Sequence, residues 1–262
     1  MNPFEYDFGY GWIWKWGHLI PVVVFGGLAA LAWKLRWPKW TGAIAAALTL
    51  WGVVGLLIVQ LAIRINLPLE LPTDTFFVEG SGRVLDAGAG SGRSSLMVLQ
   101  ARPESTVVAL DIYSGNYGIP DNKPERLFRN AAKAGVEGRL EAEVGDVRKM
   151  PFSDDSLDAA VSAYMIDHLP REGVEEALAE IERVLRPNGE FLLMVINPDT
   201  WTRVAYPFLA HHSYYGGSTN HEWWGSQLTS AGFEVVEQGT TPGTLYMVAR
   251  KRSTGALPTT GR

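Results

Sequence analysis

The sequence predicts an α/β protein with a doubly wound seven-stranded sheet whose last strand is antiparallel, preceded by two hydrophobic helices. Apolar, strand-forming runs alternate with amphipathic helical patterns over residues 82–250, which is typical of a sheet with helices on both faces. The first of these strands leads directly into a glycine-rich turn and a helix. Two long runs without a formal charge within residues 1–64 predict the hydrophobic helices.

The two uncharged runs extend over residues 16–33 and 40–63. As helices they would be about 27 Å and about 36 Å long, which brackets the hydrocarbon thickness of a bilayer. Tryptophans at both ends of the first run suit a membrane interface. We therefore predict that residues 1–64 form a membrane anchor built as a two-helix transmembrane hairpin. A buried helical hairpin of a soluble protein is the alternative.

The remaining chain divides into a linker at residues 65–81, a main domain at residues 82–250 and a disordered tail at residues 251–262. The link between the last two predicted strands is too short for a helical crossover, so it predicts a hairpin. The predicted strands lie near 82–87, 106–111, 139–144, 157–163, 189–196, 233–238 and 244–250, and the predicted helices near 91–102, 123–135, 171–186 and 221–231.

The turn after the first predicted strand begins at Asp86 and has glycines at positions 88, 90 and 92. Alternate glycines permit positive φ angles and let a ligand approach the main chain closely. The helix that follows offers free N–H groups and the positive end of its dipole to an anionic group. A dinucleotide-binding fingerprint would require glycine at position 93, where this chain has Arg93. An ordinary glycine-rich turn is the alternative.

The D-x-G-x-G-x-G pattern from Asp86 resembles the first motif of the class I S-adenosylmethionine (SAM) methyltransferases. Residues 150–162 resemble the L-P-F-x-D-x-S-F-D-x-V stretch of small-molecule methyltransferases related to the ubiquinone and menaquinone biosynthesis enzymes. Residues 181–190 resemble their R-V-L-K-P-G-G turn, with Asn188 in place of a glycine, and asparagine tolerates a left-handed turn. The resemblance covers residues 82–196 and implies a Rossmann-like methyltransferase fold with SAM as cofactor.

The resemblance also implies which residues bind the cofactor, at the carboxyl ends of the first four strands. They are Asp86, Gly88 and Gly90 for the methionine portion, Asp111 for the ribose, Ile112, Asp146 and Val147 for the adenine, and Tyr164 in the pocket wall.

The acceptor side has one candidate catalytic residue, His168, after the fourth strand. An imidazole with a pKa near neutrality suits a general base; packing at the start of a helix is the alternative. Two long connections, residues 113–122 and 197–224, follow strand ends that face the ligand. Their aromatic content favours a planar or hydrophobic substrate. The predicted substrate contacts are Tyr117, Asp167, Asn197, Trp201, Tyr206 and His212.

Composition excludes several classes of function. The chain has no cysteine, which rules out disulfides, thiolate metal sites and a cysteine nucleophile. Residues 65–262 carry 18 Lys and Arg against 26 Asp and Glu, so we predict no nucleic-acid partner. The histidines of residues 197–224 lack a carboxylate at matching spacing, so we also predict no metal site.

We therefore predict a membrane-anchored enzyme that methylates a lipophilic small molecule, with the lipid bilayer as its partner. A phospholipid headgroup N-methyltransferase and a SAM-binding, non-catalytic membrane subunit are the alternatives. The basic residues between the hydrophobic runs would place their connection in the cytoplasm and the main domain outside. SAM, however, is made and used in the cytosol, so we predict that the methyltransferase domain faces the cytoplasm.

Overall fold

The computed structural model describes residues 6–115, 120–211 and 221–253. The predicted substrate contacts Tyr117 and His212 lie outside the described residues, as does most of the predicted tail.

A seven-stranded mixed sheet forms the centre of the main domain, with strand order β3-β2-β1-β4-β5-β7-β6. Strands β1 to β5 run parallel to one another, and β7 is antiparallel to both β5 and β6. The predicted antiparallel last strand is therefore confirmed. The strands are β1 (Gly82–Ala87), β2 (Ser105–Asp111), β3 (Leu140–Val144), β4 (Leu157–Ala163), β5 (Leu185–Ile196), β6 (Phe233–Thr241) and β7 (Thr244–Lys251).

The sheet is covered on both faces, as the alternating pattern predicts. In β2, Val107 and Ala109 point to one apolar cluster while Val108 and Leu110 point to the other, because successive strand residues face opposite sides. The first cluster includes α4 (Arg93–Ala101) and α5 (Pro124–Ala134), and the second includes α6 (Arg171–Val184) and α8 (His221–Ser230).

The N-terminal part contains α1 (Trp12–Trp16), α2 (Leu19–Lys34) and α3 (Lys39–Leu57), and α3 continues through a π-helical turn at Ile58–Ala62. Helices α2 and α3 pack as an antiparallel pair, since Gly26 faces Thr49 and Gly42 faces Ala32. The predicted helical hairpin is thus present.

Among the described residues, one helix is long and apolar enough to cross a bilayer: Lys39–Ala62, with 24 residues and a mean hydropathy of 2.3 over its most apolar 18 residues. Helix α2 is apolar but has only 16 residues, because the predicted run is divided near Gly17 and begins as the separate helix α1. A hairpin in which both helices span a membrane is therefore not confirmed and stays a prediction.

The segment predicted as a linker packs against the main domain. Phe76 is fully buried, and Nε of Arg102 donates to the carbonyl oxygen of Phe77 over 2.8 Å. A short helix that the sequence did not predict, α7 (Thr200–Ala205), follows β5. Its N-cap is Asp199, whose carboxylate accepts from the Thr202 amide over 2.9 Å.

Candidate functional site

The glycine-rich turn after β1 has the backbone conformation that its sequence predicts. Gly88, Gly90 and Gly92 have φ angles of +81°, +51° and +90°. A Cβ at position 88 would lie 2.2 Å from Cγ of Met165, and one at position 92 would lie 2.2 Å from Cδ1 of Leu127. Only glycine fits these two positions, since they combine a left-handed backbone with close side-chain contacts.

Asp86 lies beneath this turn and is fully buried. Its carboxylate accepts from the hydroxyls of Ser94, over 2.8 Å, and Ser95, over 2.5 Å, at the start of α4. Burial raises the pKa of Asp86 to about 6, and the serine hydroxyls oppose that increase. Asp86 thereby ties the first turn of α4 to β1, and it lies outside the two cavities described below.

Asp111, the last residue of β2, organises the opposite side of the turn. One carboxylate oxygen accepts from the Gly90 amide over 2.8 Å. The other accepts from the Tyr113 amide over 2.6 Å and from Nδ2 of Asn122 over 3.2 Å. Asp111 therefore fixes the glycine turn and the loop after β2 relative to each other.

These residues surround a smaller cavity of about 200 Å³ at the carboxyl ends of β1, β2 and β4. All predicted cofactor residues except Asp86 line it. The residues that line this cavity are Tyr10, Leu69, Gly88, Ala89, Gly90, Ser91, Arg93, Ser94, Asp111, Ile112, Ser114, Asn122, Asp146, Val147, Arg148, Ala163, Tyr164, Met165, His168, Leu169 and Pro170.

Two polar atoms in the wall of the smaller cavity have no hydrogen-bond partner within the described part of the chain. They are Oγ of Ser114 and Oδ1 of Asn122, and both are buried. Buried polar atoms are normally satisfied, so these two are free to bind a polar ligand. Asp146, by contrast, is paired with Arg148 over 2.6 Å, and hydrogen bonds from that guanidinium lower the pKa of the Asp146 carboxyl.

A larger cavity of about 550 Å³ adjoins the smaller one. It lies between the main domain and the end of the helical hairpin, and its wall is largely aliphatic and aromatic. The residues that line it are Tyr10, Trp14, Ala62, Ile63, Arg64, Ile65, Pro68, Leu69, Glu70, Leu71, Pro72, Arg93, Tyr164, His168, Met194, Ile196, Thr202, Tyr206, Leu209, Thr241, Pro242, Gly243 and Thr244.

Five residues line both cavities and therefore form their common boundary: Tyr10, Leu69, Arg93, Tyr164 and His168. The backbone of Tyr164 has a φ of +55°, which is uncommon for a residue with a bulky side chain. Its hydroxyl is hydrogen-bonded to Oγ1 of Thr244 at the start of β7. The predicted base His168 thus lies at the junction, where two ligands in adjacent cavities would meet.

Asp167 precedes His168 but lines neither cavity. It is buried, and one carboxylate oxygen accepts from the Ile196 amide over 3.0 Å. Burial raises the pKa of Asp167, and the adjacent His168 acts in the opposite direction. Its contacts hold the turn after β4 against the end of β5, which places His168.

The other predicted substrate contacts separate into two groups. Tyr206 lines the larger cavity, is buried, and donates its hydroxyl to the carbonyl oxygen of Trp14 over 2.7 Å. Asn197 and Trp201 lie outside that cavity, and the Trp201 side chain is exposed.

Sequence reasoning missed Tyr10, Arg93 and residues 62–65 and 68–72 as parts of the site. Arg93 could have been predicted as a site residue, because it is the first residue of α4. A cation in the first turn of a helix is unfavourable for the helix dipole, so its presence there indicates another role. The other segments have no recognisable motif. Within the described residues no cluster of three or more histidine, aspartate or glutamate side chains could hold a metal ion.

Comparison with known proteins assigns residues 84–189 to a family described as a methyltransferase domain. The ubiquinone/menaquinone biosynthesis C-methyltransferase of Methylobacterium nodulans is 35% identical over 113 residues, which are 43% of this chain and 41% of that protein. 24-Methylenesterol C-methyltransferase 2 of Arabidopsis thaliana is 31% identical over 125 residues, 47% of this chain and 31% of that protein. The chain spans half or less of the length of these curated relatives.

A protein of Encephalitozoon cuniculi assigned as a methyltransferase is 30% identical over 184 residues, which are 64% of this chain and 78% of that protein. Among solved structures, a Nostoc punctiforme protein assigned as an O-methyltransferase superposes with a TM-score of 0.53 at 19% identity. The superposition covers 80% of this chain and 59% of that one and shows a shared fold.

Proposed function

The chain belongs to the class I SAM-dependent methyltransferases, and from this premise we propose that it methylates a lipophilic small molecule at a membrane surface. In this proposal the smaller cavity holds the cofactor, the larger cavity holds the acceptor, and the helical hairpin is embedded in the bilayer.

The smaller cavity fits the cofactor by the chemistry of its wall. The Asp111 carboxylate suits the two ribose hydroxyls, and the unpartnered atoms of Ser114 and Asn122 offer further hydrogen bonds to the adenosine portion. The glycine turn allows close approach of the methionine portion. The largely apolar side chains of Ile112 and Val147 are available to contact the adenine ring.

One observation carries the acceptor proposal: the larger cavity is bounded by the end of the hairpin. Ala62 and Ile63 form part of its wall, and Leu61 beside them is exposed. A molecule dissolved in the bilayer would therefore meet the cavity where the hairpin leaves the membrane. Largely apolar walls and a volume of about 550 Å³ are typical of sites for hydrophobic small molecules.

The exposed surface of the hairpin supports its place in a membrane. Trp33 is 86% exposed and Leu50 is 62% exposed. Only 28% of the most apolar stretch of Lys39–Ala62 is buried, whereas a core helix of a soluble protein is buried for most of its length. So large an apolar surface is unfavourable in water and favourable in lipid.

Catalysis in this arrangement depends on alignment and on exclusion of water at the boundary of the two cavities. SAM supplies an electrophilic methyl group on a sulfonium that leaves readily. Tyr10, Leu69 and Tyr164 line the passage between the two cavities. Fixed alignment of two reactants can lower the barrier by about 7–11 kcal/mol. His168 lies beside the passage, where it can accept a proton from an acceptor that is protonated at the start.

The names of the relatives support a lipophilic acceptor. The matched proteins of Methylobacterium nodulans and Arabidopsis thaliana are named for ubiquinone or menaquinone biosynthesis and for a methylenesterol. Quinones with prenyl tails and sterols partition into membranes, and this property is the part of those names that we carry to this chain.

The acceptor is tested by comparing lipid extracts of cells with the intact chain and cells with the Asp111→Ala variant. We expect a lipid-soluble compound heavier by one methylene group only where the intact chain is present. A mass shift confined to water-soluble compounds would contradict the proposal, and a shift in phospholipid headgroups would favour an N-methyltransferase.

Membrane insertion is tested with single cysteines, since the chain has none of its own. A spin label at Leu50→Cys should be accessible to oxygen and shielded from a water-soluble relaxation agent in lipid vesicles. The control Glu104→Cys, on the exposed surface of the main domain, should show the reverse. In intact cells, a membrane-impermeant maleimide should leave Glu104→Cys unlabelled until lysis if the domain faces the cytoplasm.

A further inference from the structure

The chain enters the hairpin at one place and leaves it at another. Both places are hydrogen-bonded to residues at the end of the glycine turn. Residues 6–11, which we call the N-terminal strap, lead into the hairpin, and residues 63–67 lead out of it. The strap is hydrogen-bonded to Ser91, and residues 63–67, which we call the exit segment, are hydrogen-bonded to Arg93. These two residues flank Gly92 at the end of the glycine turn.

The strap is held by the buried side chain of Asn130 on α5. Oδ1 of Asn130 accepts from the Asp7 amide over 3.0 Å, and Nδ2 donates to the Asp7 carbonyl oxygen over 2.8 Å. Nδ2 also donates to the carbonyl oxygen of Ser91 over 2.9 Å. A single amide therefore fixes the strap and the glycine turn together, although Asn130 lines neither cavity.

Two further contacts fasten the strap. Oγ of Ser91 donates to the carbonyl oxygen of Phe8 over 2.8 Å, and the Phe8 ring is buried in the core and stacks on Tyr6. The strap then brings Tyr10 into the walls of both cavities. Closure of the smaller cavity by Tyr10 thus depends on bonds made several residues away.

Arg93 makes the corresponding connection to the exit segment. Its guanidinium donates to the carbonyl oxygens of Ile63, Arg64 and Leu67 over 3.1, 2.9 and 2.7 Å. It also lies 6.0 Å from the centre of the Tyr10 ring. Carbonyl groups at the end of a helix lack intrahelical donors, and this arginine supplies them.

We infer that Asn130 and Arg93 are positioning residues that link docking of the hairpin to closure of the cofactor cavity. Asn130 acts through the strap and Ser91, and Arg93 acts through the exit segment and Tyr10. Loss of either connection frees Tyr10 and the glycine turn, so the cofactor product S-adenosylhomocysteine dissociates faster. The inference depends on the cofactor assignment and is independent of the acceptor and of membrane insertion.

The experiment measures S-adenosylhomocysteine affinity by calorimetry and dissociation rate by stopped flow, with thermal unfolding of every variant. All variants are made in the full chain in detergent. Asn130→Ala should weaken binding about tenfold, mostly through faster dissociation. Asn130→Asp keeps the acceptor for the Asp7 amide but places a buried carboxylate against the carbonyl oxygens of Asp7 and Ser91, so its affinity should be no higher than that of Asn130→Ala.

Two matched controls separate cofactor closure from general loss of stability. Phe8 and Phe76 are both buried in the same apolar cluster, but only Phe8 belongs to the strap. We expect Phe8→Ala to lower the affinity and Phe76→Ala to lower only the unfolding temperature. Arg102 donates to the carbonyl oxygens of Phe76 and Phe77 at the far end of α4. We therefore expect Arg93→Lys to lower the affinity for S-adenosylhomocysteine and Arg102→Lys to leave it unchanged.

The inference also predicts that Asn130 and Phe8 act through the same strap. The double variant Asn130→Ala with Phe8→Ala should therefore lose less affinity than the product of the two single losses. Unchanged affinity for S-adenosylhomocysteine in both Asn130→Ala and Phe8→Ala would overturn the inference. Losses of affinity in Phe76→Ala and Arg102→Lys as large as those in Phe8→Ala and Arg93→Lys would also overturn it. If Asn130→Ala does not fold, the comparison of Phe8→Ala with Phe76→Ala decides.

Discussion

The imidazole ring of His18 occupies the space where a side chain at position 55 would lie. A Cβ on Gly55 would come within 2.3 Å of Cε1 of His18. Nε2 of the same ring lies 2.6 Å from the carbonyl oxygen of Ala205, the last residue of α7. The hairpin and the helix that bounds the larger cavity therefore meet at His18, and Gly55 makes room for that contact.

Gly55→Ala is predicted to weaken this junction. The added methyl group would displace His18, and overpacking of this kind costs about 1–3 kcal/mol. Gly27→Ala is the matched control, since nothing lies within 4 Å of a Cβ at that position and alanine favours a helix by up to about 1 kcal/mol. Thermal unfolding in detergent should show a lower midpoint for Gly55→Ala only. Equal midpoints would mean that His18 moves without cost.

Asp111→Ala is predicted to weaken S-adenosylhomocysteine binding at least about tenfold. The substitution removes the proposed acceptor for the ribose hydroxyls and also frees Gly90, Tyr113 and Asn122. Hydrogen bonds to a charged group contribute about 1.5–3 kcal/mol. Calorimetry measures the loss. Asp121→Ala, on the exposed loop surface beside Lys123, is the control and should bind as wild type does. Equal affinity for both variants would remove Asp111 from the cofactor site.

Asp86→Asn is predicted to change how stability depends on pH. In the folded chain the pKa of Asp86 is about 6, against an ordinary value of 3.8. Between these values the folded chain binds more protons than the unfolded chain, so a rise in pH lowers the free energy of unfolding. This stabilising contribution is complete below about pH 4 and lost above about pH 6.

Wild type should therefore lose up to about 3 kcal/mol of stability relative to Asp86→Asn as pH rises through that interval. Urea unfolding of both proteins between about pH 4 and pH 7 measures the difference. Parallel stability curves would show that Asp86 titrates at its ordinary value in the folded chain.

His168→Ala is predicted to lower turnover by about 10²–10⁴ while the affinity for S-adenosylhomocysteine stays nearly unchanged. The measurement is transfer of a labelled methyl group from SAM into an organic extract of membranes. Turnover is expressed per folded molecule, because a His168 that only packs would reduce thermal stability and leave turnover intact. Preserved turnover would point to an acceptor that needs no base.

Tyr206→Ala is predicted to raise the KM for the acceptor in the same labelled extract, because Tyr206 lines the larger cavity. Contacts made equally in the ground and transition states affect KM more than turnover. Trp201→Ala is the control, as its exposed side chain lies outside that cavity, and its KM should match wild type. A larger effect of Trp201→Ala would place the acceptor elsewhere.

Local patterns predict the sheet well because each strand has its own signal. The apolar run of β1, the glycines after it and the short link before β7 each have a direct structural meaning. Asn188 illustrates the same point, since its φ of +64° is the left-handed turn expected at that position. The sequence does not predict helices α1 and α7, because helices this short depend on tertiary contacts rather than on a periodic pattern.

Contacts between residues far apart in the sequence leave no local pattern. Asn130 binds Asp7 across 123 positions of sequence, and neither residue belongs to a motif. The pair Ser94 and Ser95 could have indicated that Asp86 has partners within the chain, because hydroxyls at the start of a helix lie close to the preceding strand. The larger cavity was not predictable, since its walls come from six separate segments without a common signal.

Of the described residues that line the larger cavity, only Arg93, Tyr164 and His168 fall within the matched methyltransferase domain, residues 84–189. The rest of the wall belongs to parts of the chain outside that domain. Under the proposed function, in which this cavity holds the acceptor, acceptor choice can diverge between relatives while the shared domain stays constant. Exchange of the surrounding segments between homologues, with residues 84–189 left intact, is then the direct route to a new substrate.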